Sequence, residues 1–577
     1  MTLRKRIILI IGTIVIVSIV GWGVSSYWSS HSRKTDSVRY SIGYGIAPVY
    51  AQKTAPKFAT DSDSVIVHQY NYAAVYELVH QDGETFFIDK KKHQINDTHK
   101  LDRIQVLNLS DNINLLKTLP TLNGLRELNL SQNQLSSLPQ AIADLKSLEV
   151  LNLTNNDFQK LPTVVTQLQN LRVLKLDSNF LQHLPNSITQ LQHLEELHVV
   201  NNKLRYLPET IGNLKNLETL NLGSNELIRL PKTFGGLQSL LILNLTYNEL
   251  RRLPDNIISL QNLRKINLSH NRLRYLSAAL GKLQQLEVLN LSSNQLHSLP
   301  KGLSQLQNLS IFNLSNNQLH SFPVEIEKLS NLQALYLFNN QLKIFPIGIT
   351  NLRALQKLDL RSNKLKRVPP QIKQLQNLEV LYLSSNELEA LPAEVGSLVK
   401  LKRLYLMSNQ LKQLPASFDQ LHNLKGLYLW GNHSINLSNA FRVKNLEELS
   451  LIRMSLKRLP PGISQLKNLQ VLDLTGNQLQ GLPEEINQLK NLVRLDLSQN
   501  QLEHLPDLFQ LTNLQYLDLS YNYRWKEKNS NARILFKPDF EKLKGLKSLK
   551  SLKLHNLNCT ETPSEIRQIF PNCKVYF

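Results

Sequence analysis

A row of aromatic residues recurs in the second half of this sequence at a spacing of 23 residues. Tyr382, Tyr405 and Tyr428 are each 23 residues apart, and Tyr336 lies two such steps before Tyr382, with Asp359 between them. Tyrosine combines a flat apolar ring with a terminal hydroxyl, and it is enriched at the centre of protein-binding surfaces. The chemistry that this row indicates is therefore recognition of a ligand.

A second row, two residues further along in the same stretches, changes character together with the first. Where most of the chain has serine or threonine, this row contains aromatic residues, a methionine and an arginine, which are typical of binding hot spots. The alternative is that the tyrosines only stabilise a sheet by packing between neighbouring strands. We predict one ligand-binding site formed by Tyr336, Phe338, Asp359, Arg361, Tyr382, Tyr405, Met407, Tyr428 and Trp430.

The position of the tyrosine row is occupied by other polar residues elsewhere in the chain. We interpret the asparagines there as a signature of repeat expansion that presents a hydrogen-bonding face. The aspartates form either a solvated row or a surface for a basic group or a cation. The asparagines are Asn108, Asn129, Asn152, Asn221, Asn244, Asn267, Asn290 and Asn313, and the aspartates are Asp473, Asp496 and Asp518.

Catalytic motifs are absent from the sequence. It contains no GxxxxGK[ST] phosphate loop, no HExxH, no CxxC and no GxSxG. The 15 histidines are scattered over predicted turns. We therefore predict a protein that is not an enzyme and that holds neither a cofactor nor a metal ion.

The element that positions these rows is a repeat of 23 residues. Each unit reads LxxLxLxxNxLxxLPxxIxxLxx, as in the stretch from Leu286 to Leu306, and this pattern resembles the leucine-rich-repeat family. The resemblance covers roughly residues 104–577. Thirteen consecutive intervals of 23 residues separate Asn133, Asn156, Asn179, Asn202, Asn225, Asn248, Asn271, Asn294, Asn317, Asn340, Asn363, Asn386, Asn409 and Asn432.

The physical chemistry of the unit predicts the same architecture. The alternating leucines of LxL indicate a short strand with one buried face, and the proline ends the strand side before a helical or 3₁₀ turn. The asparagine amide supplies donors and an acceptor to buried backbone groups of the turn. We predict an α/β solenoid of about 20 repeats: a curved horseshoe with a concave parallel β-sheet and a convex face of short helical turns.

The periodicity fails at two places. After Asn432 the interval shortens to 22 residues and Met454 replaces the repeated asparagine, which predicts a local kink or a loop. The second break, from Arg524 to Lys553, contains ten basic residues and three acidic ones. We interpret it as a solvated helical insert, with an anion-docking surface as the alternative.

The N-terminus differs from the repeats. Arg4, Lys5 and Arg6 precede an uncharged run from Ile7 to Val24, which predicts a membrane anchor or, alternatively, a cleaved signal peptide. The basic cluster places the repeats on the far side of the membrane, in the periplasm or at the cell surface, or in the medium if the segment is cleaved. We divide the chain into the basic tip and anchor (1–28), a linker (29–64), an N-terminal capping element (65–103), the repeat array (104–522), and a basic insert with a C-terminal capping repeat (523–577).

The charge and the cysteines narrow the class of partner and the means of stabilisation. A net charge of +21 favours acidic partners or an anionic surface. Cys559 and Cys573 allow at most one disulfide, and we favour two reduced cysteines. The last residues of the sequence predict a final strand. Its inward-facing side chains are expected to be Cys573, Val575 and Phe577, which occupy alternate positions.

Three functional hypotheses follow. The first is an envelope-tethered, monomeric scaffold that binds a protein or glycan ligand on its concave face, with no specific nucleic acid. The second comes from the LPxxI unit, which resembles the repeats of cytoplasmic scaffolds that bind Ras-type GTPases; the apolar N-terminus argues against it. The third is a structural adhesin or polyanion binder that uses the basic surface, and it predicts binding that weakens steeply with salt.

Overall fold

The computed structural model describes residues 124–433, 435–525, 533–559 and 561–577, and the strand residues 64–68, 75–80, 85–89, 94–95 and 106–108. None of the helices in these ranges is long and apolar enough to cross a bilayer. The predicted anchor, residues 7–24, lies outside the described residues.

One sheet of 25 strands runs through the repeats. From β5 onward its strands are parallel and follow one another in chain order, so that each strand pairs with the strand of the next repeat. These strands are β5 (Val106–Asn108), β6 (Glu127–Asn129), β7 (Val150–Asn152), β8 (Val173–Lys175), β9 (Glu196–His198), β10 (Thr219–Asn221), β11 (Ile242–Asn244), β12 (Lys265–Asn267), β13 (Val288–Asn290), β14 (Ile311–Asn313), β15 (Ala334–Tyr336), β16 (Lys357–Asp359), β17 (Val380–Tyr382), β18 (Arg403–Tyr405), β19 (Gly426–Tyr428), β20 (Glu448–Ser450), β21 (Val471–Asp473), β22 (Arg494–Asp496), β23 (Tyr516–Asp518), β26 (Ser551–Lys553) and β27 (Lys574–Tyr576).

Four strands precede the parallel array. They are β1 (Ser64–His68), β2 (Val75–His80), β3 (Thr85–Asp89) and β4 (Gln94–Ile95). Neighbours in this group pair antiparallel, and β1 also pairs in parallel with β5. The first parallel strand is therefore not a free edge, which a solenoid needs to protect.

Short 3₁₀ helices form the opposite side of most repeats. Most begin directly after a proline whose backbone is extended, as at Pro300 (φ −74°, ψ 144°), which ends the strand side as the sequence predicts. They are Gln140–Asp144, Thr163–Gln167, Asn186–Gln190, Ile211–Asn213, Phe234–Gly236, Asp255–Ser259, Ala278–Lys282, Lys301–Gln305, Val324–Lys328, Ile347–Asn351, Pro370–Gln374, Ala393–Ser397, Ala416–Gln420, Pro461–Gln465, Glu484–Gln488 and Phe540–Leu543.

The core lies between the sheet and the 3₁₀ helices and consists of stacked leucine rows. In the unit from Leu286 to Leu306 every consensus leucine is buried. The strands pack about 4.8 Å apart, and the opposite side must accommodate a 3₁₀ helix in each repeat, so the sheet lies on the concave side. The predicted solenoid, with its parallel sheet and 3₁₀ turns, is confirmed.

The repeated asparagines join successive turns of the solenoid. Asn294 accepts a hydrogen bond from the Leu273 N–H (2.9 Å), and its Nδ2 donates to the Leu268 carbonyl (2.9 Å) and the Leu291 carbonyl (3.1 Å), among others. Leu268 and Leu273 belong to the preceding repeat. The amide thus satisfies the buried turn, as the sequence predicts, and in addition ties each repeat to the one before it.

The sheet continues through the repeat in which Met454 replaces the asparagine. β19 and β20 pair in register, with Gly426 opposite Glu448. The change lies on the other side, where the described residues between these strands form turns and Phe441 is buried. The Met454 N–H donates to Oδ1 of Asn477 (2.9 Å), which also accepts from the Leu456 N–H (3.1 Å), so the asparagine of the next repeat holds this turn.

Between Arg524 and Lys553 the described residues begin with two antiparallel strands, so the helical interpretation is wrong for them, and a 3₁₀ helix, Phe540–Leu543, follows. β24 (Tyr523–Trp525) and β25 (Arg533–Leu535) pair antiparallel as a separate two-stranded sheet. Strand pairing of these residues outweighs the helical tendency that we inferred from their charge. The array then resumes, because β26 pairs with β23.

Helix α1 (Pro563–Ile569) and β27 close the C-terminal end. A capping box between Thr562 and Glu565 begins α1. Val575 packs against the core, but Phe577 is 41% exposed, so its predicted inward orientation is wrong. Cys559 and Cys573 are free thiols, and burial raises the pKa of Cys573 to about 11.

Candidate ligand-binding site on the concave face

The structure brings the nine predicted residues together on β15 to β19. Tyr336, Asp359, Tyr382, Tyr405 and Tyr428 end these five strands and lie directly opposite one another in the parallel register. The other four residues follow two positions later in their repeats. We call the nine residues the aromatic strip, which consists of Tyr336, Phe338, Asp359, Arg361, Tyr382, Tyr405, Met407, Tyr428 and Trp430.

Three tyrosine rings of the aromatic strip form a continuous stack. The ring centroids of Tyr382 and Tyr405 are 4.5 Å apart with an interplanar angle of 16°, and those of Tyr405 and Tyr428 are 4.4 Å apart with an angle of 1°. These distances follow from the strand spacing, because side chains at equivalent positions of parallel strands stand side by side. The result is a flat ribbon of phenol rings.

Arg361 extends this ribbon toward Tyr336. Its Nε lies 2.9 Å from Oδ1 of Asp359, and Nη2 contacts the other carboxylate oxygen. The guanidinium carbon is 4.6 Å from the ring centroid of Tyr382 and 5.2 Å from that of Phe338, which is the range of cation–π contacts. Asp359 therefore orients a cation that bridges two rings.

Burial favours the neutral phenol in two tyrosines of the strip, whereas Asp359 keeps the guanidinium charged. Burial raises the pKa of Tyr336 to about 12 and also raises that of Tyr382. Burial of Arg361 works against its charge, but the hydrogen bonds and proximity of Asp359 give this residue a raised pKa. Near neutral pH the strip thus presents an Arg361–Asp359 ion pair between the protonated hydroxyls of Tyr336 and Tyr382.

The end of the stack at Tyr428 depends on Gly426, which was not among the predicted site residues. Tyr428 is only 6% exposed, and its hydroxyl donates a hydrogen bond to the Glu448 carboxylate on the next strand. A Cβ atom at Gly426 would lie 3.0 Å from Cε2 of the Tyr428 ring. Valine or arginine stands at this position in β17 and β18, so the glycine in this column was a readable signal.

The asparagines at the equivalent position of other strands bind their own backbone. In Asn244, Asn267 and Asn290, Oδ1 accepts a hydrogen bond from the N–H two residues later, at 3.0–3.1 Å. This is a turn-type bond that asparagine and aspartate make readily and that a tyrosine ring cannot make. The asparagine row is therefore part of how each strand ends.

Asp473, Asp496 and Asp518 accept the same hydrogen bond from the N–H two residues later. Two of them also lie beside a basic side chain of this protein. The Asp496 carboxylate lies 2.9 Å from Arg494, and the Asp518 carboxylate lies 3.8 Å from Lys553. Burial, followed by the neighbouring Asp496, raises the pKa of Asp473. Within the described residues no group of three or more histidines, cysteines or carboxylates is arranged to hold a metal ion.

Two family models match this chain over most of its length. The model described as leucine-rich repeat region matches residues 85–205 and 199–295. The model described as leucine rich repeat matches residues 284–342, 353–411, 376–433, 444–502 and 467–523. No curated protein matches the sequence.

Solved structures agree with the family models. A leucine-rich-repeat protein of Leptospira interrogans is 36% identical, over 79% of this chain and 96% of that chain, with a TM-score of 0.58. The plant peptide hormone receptor RGFR1, in complex with RGF2, is 26% identical over 82% of this chain and 87% of that chain, with a TM-score of 0.54. Arrays of this kind are typically protein-interaction scaffolds without enzymatic activity. On the repeat, the fold and these matches together, the chain belongs to the leucine-rich-repeat family.

Proposed function

We propose that this protein is a non-enzymatic scaffold that binds a partner polypeptide on the aromatic strip. The observation that carries the proposal is the stack of Tyr382, Tyr405 and Tyr428. These rings occupy positions where other strands of the same face place a side chain that caps the backbone. The strip therefore replaces a local structural bond with a surface of rings.

The alternative, that the tyrosines only stabilise the sheet, accounts for part of the arrangement. Stacked aromatic pairs contribute roughly 0.5–1.5 kcal/mol each. Sheet stability alone does not require Arg361 to be held between two rings, nor Met407 and Trp430 in the neighbouring row, where most repeats have small polar residues. Rigid rings around an oriented arginine are the composition of a protein-binding hot spot.

The dimensions of the strip fit a segment of extended polypeptide. Four strand spacings separate Tyr336 from Tyr428, or about 19 Å. An extended peptide of about six residues spans that length. The guanidinium and the phenol hydroxyls other than that of Tyr428, which bonds Glu448, are donors for its carbonyl or carboxylate oxygens, and the rings receive its apolar side chains. The plant receptor in complex with RGF2 supports a ligand of this class.

Affinity capture with matched variants tests the proposal. The immobilised full chain is compared with the variant Tyr382→Ala/Tyr405→Ala/Tyr428→Ala and with the control Asn244→Ala/Asn267→Ala/Asn290→Ala. The tyrosine variant should bind the captured partner about a hundredfold more weakly or worse, since hot-spot truncations cost 2 kcal/mol or more each. The control should bind as the wild type does. Equal binding by all three chains contradicts the proposal.

We also propose that residues 7–24 anchor the protein in a membrane, with the repeats on the far side. The support is the uncharged run after Arg4, Lys5 and Arg6. The full chain should then stay with membranes during alkaline extraction, and added protease should cleave the repeats in cells whose inner compartment is intact. A soluble form that begins near Ser26 would instead indicate a cleaved signal peptide.

A further inference from the structure

Charged side chains form ion pairs at one edge of the sheet, whereas arginines at the other edge have no carboxylate beside them among the described residues. We call the residues directly before each strand the amino edge. We call the third and fourth residues after each repeated asparagine, the ladder asparagine of that repeat, the carboxyl edge. On the amino edge the charges alternate and pair: Glu149 lies 3.4 Å from Arg126 and 3.7 Å from Arg172, which in turn lies 2.8 Å from Glu195. Further pairs on this edge are Arg264 with Glu287, Lys402 with Glu379 and Lys425 with Glu447.

The carboxyl edge instead carries uncompensated arginines over four successive repeats. Arg205, Arg229, Arg251, Arg252 and Arg274 are all exposed. In the part of the chain that the structure describes, none of them lies within ion-pair distance of a carboxylate. Like charges at this density repel one another, and an external anion would remove that repulsion.

Exposed aromatic rings stand among these arginines. Tyr206 is 48% exposed and Tyr275 is 73% exposed, and both occupy the same position of their repeats as Arg229 and Arg252. The guanidinium of Arg229 lies 5.5 Å from the centroid of the Tyr206 ring. Burial in the core therefore does not explain why aromatic residues stand at these positions.

A stacked pair of rings lies in the same repeats. The ring centroids of Tyr247 and His270 are 4.0 Å apart. Both residues have the left-handed backbone (φ 52° and 54°) that precedes the repeated asparagine in nearly every repeat, where serine and asparagine are more common. The backbone is therefore a property of the repeat, and the stacked rings are what distinguish these two turns.

We propose that the carboxyl edge from Arg205 to Tyr275 binds a linear polysaccharide that carries sulfate or carboxylate groups. The guanidinium fork bonds such anions through two parallel N–H groups. The strands advance by about 4.8 Å per repeat, so the arginines beside them advance by at least that distance, close to the length of one pyranose in an extended chain. Tyr206 and Tyr275 offer flat faces for the C–H faces of the sugar rings. This surface lies in earlier repeats than the aromatic strip.

The geometry favours a polysaccharide over a nucleic acid. Proteins that bind single strands stack successive bases on aromatic side chains. Tyr206 and Tyr275 are three repeats apart, about 14 Å, and arginines occupy the two positions between them. In these repeats the edge consists of turns, with no helix or two-stranded ribbon to enter the major groove of a duplex.

Titration of the full chain with heparin, a sulfated polysaccharide, tests the proposal. The edge variant is Arg205→Gln/Arg251→Gln/Arg252→Gln/Arg274→Gln. Its matched control, Arg126→Gln/Arg172→Gln/Arg264→Gln/Lys402→Gln, removes the same charge from the amino edge. The edge variant should raise the Kd for heparin at least tenfold and reduce the slope of log K against log salt by about four, since each of the four lost anion contacts contributes about one. The control should change the Kd less than twofold.

Two further arms complete the test. Tyr206→Ala/Tyr275→Ala should weaken heparin binding about threefold to tenfold without changing the salt slope, because the rings carry no charge. The tyrosine variant of the aromatic strip should bind heparin as the wild type does. Equal losses in the edge variant and its control overturn the proposal. So does tighter binding of single-stranded DNA or of phosphatidylserine vesicles than of heparin at the same salt concentration.

Discussion

Two stretches of the concave face have the same backbone and differ in one column of side chains. From β10 to β14 the column is asparagine, and its Oδ1 atoms bind N–H groups of their own strands. From β15 to β19 the column is tyrosine with one aspartate, and its rings contact one another, Arg361 and Glu448. Sheet register and leucine core are the same in both stretches.

The difference separates what the scaffold needs from what a ligand needs. The fold requires one acceptor for the N–H that follows each strand, and asparagine meets that requirement with four heavy atoms. The tyrosine stretch gives up this acceptor at four strands and exposes a surface whose contacts run from strand to strand. Substitutions that exchange these two roles should therefore affect stability in one stretch and binding in the other.

The largest loss of stability should come from Asp359→Ala. Asp359 is 3% exposed, and it holds both the Arg361 guanidinium and the Arg361 N–H (3.1 Å). Its removal leaves a half-buried cation without a partner, which should cost about 3 kcal/mol. Because stability in a repeat array is local, amide hydrogen exchange of β15 to β17 is the appropriate measurement. Asp359→Asn, which restores the asparagine of the neighbouring stretch, keeps the backbone bond and should cost less than half as much.

A smaller loss is expected from Gly426→Val, the residue that β17 has at this position. The new side chain meets the Tyr428 ring, so the ring must leave the stack, at a cost of about 2 kcal/mol. The near-ultraviolet circular dichroism of the stacked tyrosines should decrease as well. Thr219→Val, at the same register in the asparagine stretch, should change neither quantity appreciably. An unchanged spectrum for Gly426→Val would show that Tyr428 does not depend on the glycine.

Asn290→Ala should cost less again. The buried Ser292 N–H loses its 3.0 Å acceptor, which is worth about 1 kcal/mol in the hydrogen exchange of β13 and β14. Partner binding should remain at the wild-type level, because the lost side chain serves only its own strand. A weaker partner affinity in this variant would mean that the asparagine stretch is part of the binding surface.

The smallest effect is a pH dependence of the tyrosine stretch. Burial raises the pKa of Tyr336 from its ordinary value of 10.0 to about 12. Between these values the unfolded chain loses the phenol proton while the folded chain keeps it, so the free energy of unfolding decreases as pH rises from 10 to 12. Tyr336→Phe should show a shallower decrease in urea unfolding over this window. Identical profiles for variant and wild type would contradict the assigned burial.

Most of the fold could be predicted because it is periodic. The leucines, prolines and ladder asparagines occupy equivalent positions in nearly every unit, so the environment predicted for one holds for the rest. The site residues could be placed in two adjacent rows for the same reason. Whether they form a binding site is a separate question, which the binding experiments address.

The features that the sequence did not predict are contacts between different positions of the repeat and segments that depart from the repeat. The contact of Gly426 with Tyr428 depends on a ring orientation that spacing does not determine. The hairpin of β24 and β25 lies outside the period, so its charges were a poor guide to its conformation. Phe577 is 41% exposed although it continues the alternation of Cys573 and Val575, because alternation indicates the face of a strand and not how well that face is covered.

Photo-crosslinking tests whether the partner binds on the aromatic strip. A photoreactive residue in the second row of the concave face compares the two stretches without altering the tyrosines. A photoreactive amino acid replaces Met407 in one full-length chain and Thr246, at the equivalent position of the asparagine stretch, in another. Binding on the aromatic strip should give a covalent complex with the partner from position 407 and none from position 246. Crosslinking from position 246 alone, or from neither position while the partner is still captured, would contradict it.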